Sequence, residues 1–153
     1  GIKPYILNAK DFKTTTMCID MLTNILILLA GREMPRRYWH DNHDNLRLII
    51  KPFEYEEFVS AAFGELHKCT RDSSSISKYI LEALAVVAKH AKRQKDKEAI
   101  YKQATKVERG SHVLLKEEED IVELEQRFTE IVSTLFPLRA VRIAHGTPTA
   151  QNS

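Results

Sequence analysis

The stretch YEEFVSAAFGELHKC, residues 55–69, decides the fold of this chain. Its apolar side chains recur at intervals of three and four residues, which places them along one face of an α-helix. These residues are Tyr55, Phe58, Val59, Ala62, Phe63, Leu66 and Cys69. Because other apolar surfaces must cover such a face, the pattern predicts a helix inside a helical bundle.

Four further segments have the same helical periodicity. They are predicted at about residues 11–30, 76–93, 95–115 and 117–135. Asp11 is a candidate N-cap of the first helix, and Gly31 is a common C-terminal stop. Asp72 or one of the serines at 73–75 is expected to cap the third helix. Short loops between the last four helices predict that sequential neighbours pack antiparallel.

Between the first two helices the pattern changes to two short runs of β-forming residues. The run YWH at 38–40 precedes the turn-rich residues 41–45, and LRLII follows at 46–50. This order predicts a β-hairpin at about residues 37–50. The hairpin should lean on the helices, because two strands alone are only marginally stable.

The predicted fold class is therefore all-α, a bundle of about five helices with a small β-hairpin inserted after the first helix. Residues 1–136 are expected to form one helical domain. The small and polar residues 137–153 are expected to form a flexible C-terminal tail.

Length and composition fit an ordinary globular domain. The chain has 153 residues, 43% of them hydrophobic, and a net charge of +2, which excludes wholesale disorder and a fibrous repeat. The apolar run at 17–30 is shorter than the roughly 20 residues of a spanning helix and contains Asp20 and Asn24, so we expect a core helix. Cys18 and Cys69 are expected to be buried, which favours a reducing compartment.

Three segments in this order resemble a known family. They are TTMCIDMLTNILILLAGR at 15–32, LRLIIKP at 46–52 and FEYEEFVSAAFGELHKCTRDSSSISKYILEALAVVA at 53–88. They are similar to the C-terminal soluble region of the predicted bacterial membrane proteins of domain of unknown function 2254, over about residues 10–110. The resemblance implies a soluble domain that follows membrane-spanning helices upstream of Gly1, in a family without an established activity.

Members of that family carry a Gly-Ile-Asn-Asp-Pro element followed by Thr-Ala just before the first helix. In this chain the matching residues are Asp11, Thr14, Cys18, Ile19 and Asp20. Lys10 and Phe12 stand where the family has Asn and Pro. A second register instead equates the residues GIKP at 1–4 with the element.

A polar patch is the first candidate site. Asp20 and Asn24 lie one helical turn apart on an otherwise apolar helix, and Asp11 and Thr14 belong to the family element that precedes it. A carboxylate buried there would need a cationic partner to offset its desolvation. The alternative is a partly exposed flank of the helix.

The loop between the two predicted strands is the second candidate site. His40 and His43 are three residues apart with Asp44 beside them, and such side chains can hold a divalent metal ion. Aspartate and asparagine are also the usual residues of tight turns, so a solvated turn is the alternative. No cofactor other than this divalent ion is expected.

An interaction, assembly or regulatory role is expected ahead of catalysis, because no nucleophile elbow and no glycine-rich phosphate loop occur. The alternative is a metal-binding enzyme or sensor that uses His40 and His43. The apolar first helix predicts a homodimer if the hairpin leaves it uncovered. We expect the full-length protein in the cell membrane, with this domain on the cytoplasmic side, and do not expect nucleic acid as a partner.

Overall fold

The computed structural model describes residues 11–32, 38–49 and 54–137. Within them, five helices form a bundle with a two-stranded hairpin after the first helix. The elements are α1 (Phe12–Ala30), β1 (Tyr38–His40), β2 (Leu46–Ile49), α2 (residues 55–70), α3 (Ser74–His90), α4 (Gln94–Leu114) and α5 (Glu118–Leu135). The all-α fold with an inserted hairpin is confirmed. Of the predicted tail at 137–153, Pro137 is described and the rest lies outside the described residues, as do residues 1–10.

Side-chain caps fix where two of the helices begin. The Asp11 carboxylate accepts a hydrogen bond from the Thr14 backbone N–H at 3.1 Å, as expected for an N-cap of α1. The Ser73 hydroxyl accepts one from the Ile76 N–H at 3.4 Å and caps α3. Both positions agree with the caps predicted from the sequence.

Helix α3 forms the centre of the bundle, where it packs against α1, α4 and α5. Its inward side chains are completely buried, and those of its neighbours close over them. The fully buried apolar residues of α3 are Ile76, Ile80, Leu81, Leu84 and Val87. Burial of large apolar side chains at about 1.5–3 kcal/mol each is the main stabilising contribution of such a core.

Helix α2 contains a π-helical turn that the sequence pattern does not predict. Tyr55–Val59 and Glu65–Thr70 are α-helical, and Ser60–Gly64 between them is π-helical. A π turn holds one extra residue, so the inward positions that follow it move along the chain. His67 and Thr70 are buried for this reason, whereas Cys69, expected in the core, is exposed.

The hairpin was expected to pack on the helices, but the described residues of the bundle leave both of its strands exposed. Strands β1 and β2 pair antiparallel, with Trp39 opposite Leu48, and every residue of both strands is exposed. Local hydrogen bonds stabilise the turn. The Asp41 carboxylate accepts them from the N–H groups of His43 and Asn45, both at 2.9 Å. These hydrogen bonds hold the pKa of Asp41 below its ordinary value, and the one from the Asn45 N–H has the largest effect.

Candidate functional site

Helix α1 has one buried face and one exposed apolar face. The buried residues are Thr15, Ile19, Thr23, Leu26 and Ala30. On the opposite face, Met17, Met21, Ile25 and Leu28 expose 56%, 64%, 48% and 62% of their surface. We call these four residues the α1 stripe. Their spacing of three and four residues makes them a continuous band along the helix.

The α1 stripe borders an apolar groove between α1 and α2. The groove has a volume of about 360 Å³ and is lined by Cys18, Met21, Leu22, Ile25, Ala61, Ala62, Glu65 and Leu66. Glu65 is the one ionisable carboxylate or amine in this lining, and it is paired with Lys68 at 2.7 Å. Cys18, expected to be buried, is half-buried at this edge and is a free thiol.

Helix α1 is also long and apolar enough to cross a membrane, judged by length and composition alone. Core helices of soluble proteins pass the same test. In this structure α1 packs along α3, and the Tyr55 hydroxyl donates a hydrogen bond to the Leu26 carbonyl at 3.3 Å. The helix is therefore part of the bundle, with about half of its circumference uncovered by described residues.

The predicted polar patch is divided between two separate environments. Asp11 and Thr14 are joined at the N-cap, where the Thr14 hydroxyl donates to the carboxylate at 2.6 Å and, with the Thr14 N–H, lowers the pKa of Asp11. Asp20 is exposed and accepts a hydrogen bond from the Tyr79 hydroxyl at 2.7 Å, which raises the pKa of Tyr79. Asn24 is exposed. The structure does not bring the four residues together.

The candidate metal ligands of the hairpin lie at its exposed tip. His40 ends β1, and Asp44 has a left-handed backbone with φ of 62°, as turn residues often do. Among the described residues, one group of three potential ligands has its atoms within 4.8 Å of one another, and it consists of Glu108, His112 and Glu125. Metal binding by His40, His43 and Asp44 therefore stays a prediction.

A buried polar chain crosses the bundle beside the π turn of α2. His67 Nε2 lies 3.1 Å from the Ser111 hydroxyl, and Ser111 donates to the Ser77 hydroxyl at 2.8 Å. With Ser111 donating onward, the neutral imidazole donates from Nε2. Burial, and to a lesser degree the charge of Arg71, lowers the pKa of His67.

A polar cavity of about 240 Å³ opens next to this chain. It is lined by Ser60, Gly64, Glu65, His67, Lys68, Gln103 and Lys106. Gln103 is 3% exposed and contributes its side chain to the wall of this cavity. No sequence pattern predicted this cavity, because it arises from the π turn and from the tertiary contact of α2 with α4.

A cavity of about 720 Å³ lies between the beginnings of α2 and α4. Its charged side chains pair with one another, except Glu98, which accepts a hydrogen bond from the Gln94 amide at 3.1 Å. The pairs are Arg93 with Asp96 at 3.1 Å, Lys102 with Glu56 at 2.6 Å and Lys95 with Glu54 at 3.6 Å. Since these charges already have partners, we interpret this surface as an ion-pair network that joins the two helices.

Within the described residues, the chain is a helical bundle with an inserted hairpin and an exposed apolar face on α1. The family described as Predicted membrane protein (DUF2254) matches residues 9–86, which is half of the chain. The chain belongs to this family. No curated protein and no solved structure matches it. The matched segment contains α1, the hairpin, α2 and most of α3.

Proposed function

We propose that this chain is an assembly module of a membrane protein and that two copies associate through the α1 stripe. The exposed apolar band of Met17, Met21, Ile25 and Leu28 carries the proposal. Contiguous apolar surface on a folded domain costs free energy in water, and burial against a partner recovers it at about 25 cal/mol per Å².

The chemistry of the stripe favours a second copy of the same chain. In a two-fold symmetric contact each surface meets itself, so charged residues of one sign would repel each other, whereas an uncharged band is self-complementary. No ionisable side chain belongs to the stripe. Methionine also adapts its shape to a facing surface, which suits a helix packed against its own copy.

A lipid surface is the competing occupant of the stripe. Helices that lie on membranes carry lysine and arginine beside their apolar face. In α1, Lys13 precedes the stripe, and no lysine or arginine follows before Arg32. Helix α1 thus lacks the basic flank that would attract anionic headgroups along its length.

The family places the full-length protein among predicted membrane proteins. We propose that membrane-spanning segments upstream of this domain anchor it at the cell membrane and that the domain faces the cytoplasm. The two cysteines support that side of the membrane, because Cys69 is an exposed free thiol and Cys18 is a half-buried one. Free accessible thiols persist in reducing compartments.

Sedimentation equilibrium at micromolar concentration tests the proposal with wild type, Met21→Glu and a control. Val113→Glu is matched, because Val113 is an exposed apolar residue of α4 outside the stripe. We expect a dimer for wild type and Val113→Glu and a monomer for Met21→Glu, since two facing carboxylates would lose their hydration. A monomeric wild type would contradict self-association. A monomeric wild type that binds lipid vesicles would assign the stripe to the membrane instead.

A further inference from the structure

Three potential metal ligands meet where α4 approaches α5. Glu108 and His112 lie one turn apart on α4, and Glu125 projects from α5. The ligand atoms of the three side chains lie within 4.8 Å of one another. Because α4 and α5 pack directly against each other, two rigid elements hold the group in place.

The distances suit a tetrahedral ion. Nitrogen and oxygen ligands bind zinc at about 2.0–2.2 Å, so two ligands of a tetrahedral ion are about 3.3–3.6 Å apart. His112 Nε2 lies 3.4 Å from the Glu125 carboxylate. That separation is long for a hydrogen bond but fits two ligands of one metal ion.

The carboxylates of this group have no competing cation. Within the described residues, no lysine or arginine nitrogen lies within 4.0 Å of the Glu108 or Glu125 carboxylate, and His112 is the ion-pair partner of Glu125 there. The first turn of α5 contains Glu118 and Glu119, and also Asp120, which is paired with Lys78 at 3.2 Å. The beginning of α5 therefore carries acidic side chains, and negative charge favours divalent ions.

We propose that Glu108, His112 and Glu125 form a zinc site that joins α4 to α5. The imidazole favours zinc over magnesium and calcium, which prefer oxygen ligands alone. Three protein ligands leave the fourth position of the ion to water or to another molecule. An ion bound by two helices of the folded state stabilises that state by mass action.

Isothermal titration of the chain with zinc tests the site. We expect one ion per chain with micromolar affinity, and at least a tenfold loss of affinity in His112→Ala and in Glu125→Gln. His90→Ala is the matched control, because His90 is also an exposed histidine on a helix and does not belong to the group. Circular dichroism confirms that each variant keeps its helices.

A second variant separates this site from the hairpin. In His40→Ala/His43→Ala we expect zinc binding to equal that of wild type. No stoichiometric binding by wild type would overturn the proposal, and so would binding that survives both His112→Ala and Glu125→Gln. Loss of binding in the hairpin variant alone would also overturn it and assign the metal to the hairpin.

Discussion

At the scale of single residues, position 110 shows how closely two helices approach each other. A Cβ atom added to Gly110 would lie 2.8 Å from Cε1 of His67, closer than real Cβ atoms come to other atoms. The buried imidazole cannot move away without losing its hydrogen bond to Ser111. Glycine is therefore the residue that allows α4 to pass His67.

We predict that Gly110→Ala destabilises the fold by about 1–3 kcal/mol, the usual cost of overpacking. The better helix propensity of alanine offsets about 1 kcal/mol or less of the strain. Urea unfolding measures the change. Gly31→Ala is the control, because nothing lies within 4 Å of a Cβ atom at Gly31. Equal stabilities of the two variants would contradict the close contact.

His67 gives the fold a dependence on pH. Its pKa in the folded chain lies below the ordinary value of 6.5, because burial disfavours the charged ring. As the pH falls through about 6.5, the unfolded chain binds a proton that the folded chain does not, so the free energy of unfolding decreases. The contribution is complete above that pH and is lost progressively below it.

We predict that His67→Gln reduces this loss, since an amide can keep a hydrogen bond to Ser111 without binding a proton. The measurement is the free energy of unfolding in urea at pH 7.5 and pH 5.5. His90→Gln, at an exposed position, should keep the pH dependence of wild type. If His67→Gln loses as much stability as wild type on acidification, the buried imidazole is not the cause.

At the scale of elements, helix positions follow from local sequence, and the contacts between elements do not. Periodicity predicted all five helices, and short polar side chains predicted the caps of α1 and α3. The π turn at Ser60–Gly64 was not predictable, because the apolar spacing before and after it is that of an α-helix. The extra residue in the π turn places Thr70 in the core and Cys69 at the surface.

The candidate sites show the same limit. The residue types at 41–45 predicted a turn between the two strands. They could not predict whether the hairpin packs on the helices, because the exposure of its strands depends on the rest of the chain. Glu108 and His112 were not predicted as ligands, although their i, i+4 spacing on a predicted helix is compatible with a ligand pair. Glu125 has no such signal, because only the antiparallel packing of α4 and α5 brings it there.

The N-cap of α3 gives a prediction at this scale. Ser73→Ala removes the acceptor for the Ile76 N–H and should cost about 1 kcal/mol of stability. The effect should be cooperative, because α3 is the central helix of the core. Ser75→Ala, at the exposed second residue of the same helix, should be neutral. Thermal unfolding of both variants checks the difference, and equal midpoints would exclude Ser73 as the cap.

At the scale of the whole molecule, the family match ends within α3, whereas the core also includes α4 and α5. The matched residues 9–86 contain α1, whose exposed stripe is the proposed assembly surface. Helices α4 and α5 lie beyond the match and cover the other sides of α3. The assembly surface thus belongs to the family region, while the proposed zinc site belongs to the helices that follow it.

The most direct test of the central claim, that copies associate through the α1 stripe, places a new thiol on it. In chains carrying Cys18→Ser and Cys69→Ser, we would compare Met17→Cys, Met21→Cys and Ile25→Cys with Val113→Cys on α4. A two-fold contact brings residues near its axis close to their own copies, within the roughly 4.4–6.8 Å between Cα atoms that a disulfide needs. We predict that mild oxidation at micromolar concentration yields a covalent dimer from at least one stripe variant and a monomer from Val113→Cys. Monomers from all three stripe variants, or equal dimer yields from all four chains, would contradict the claim.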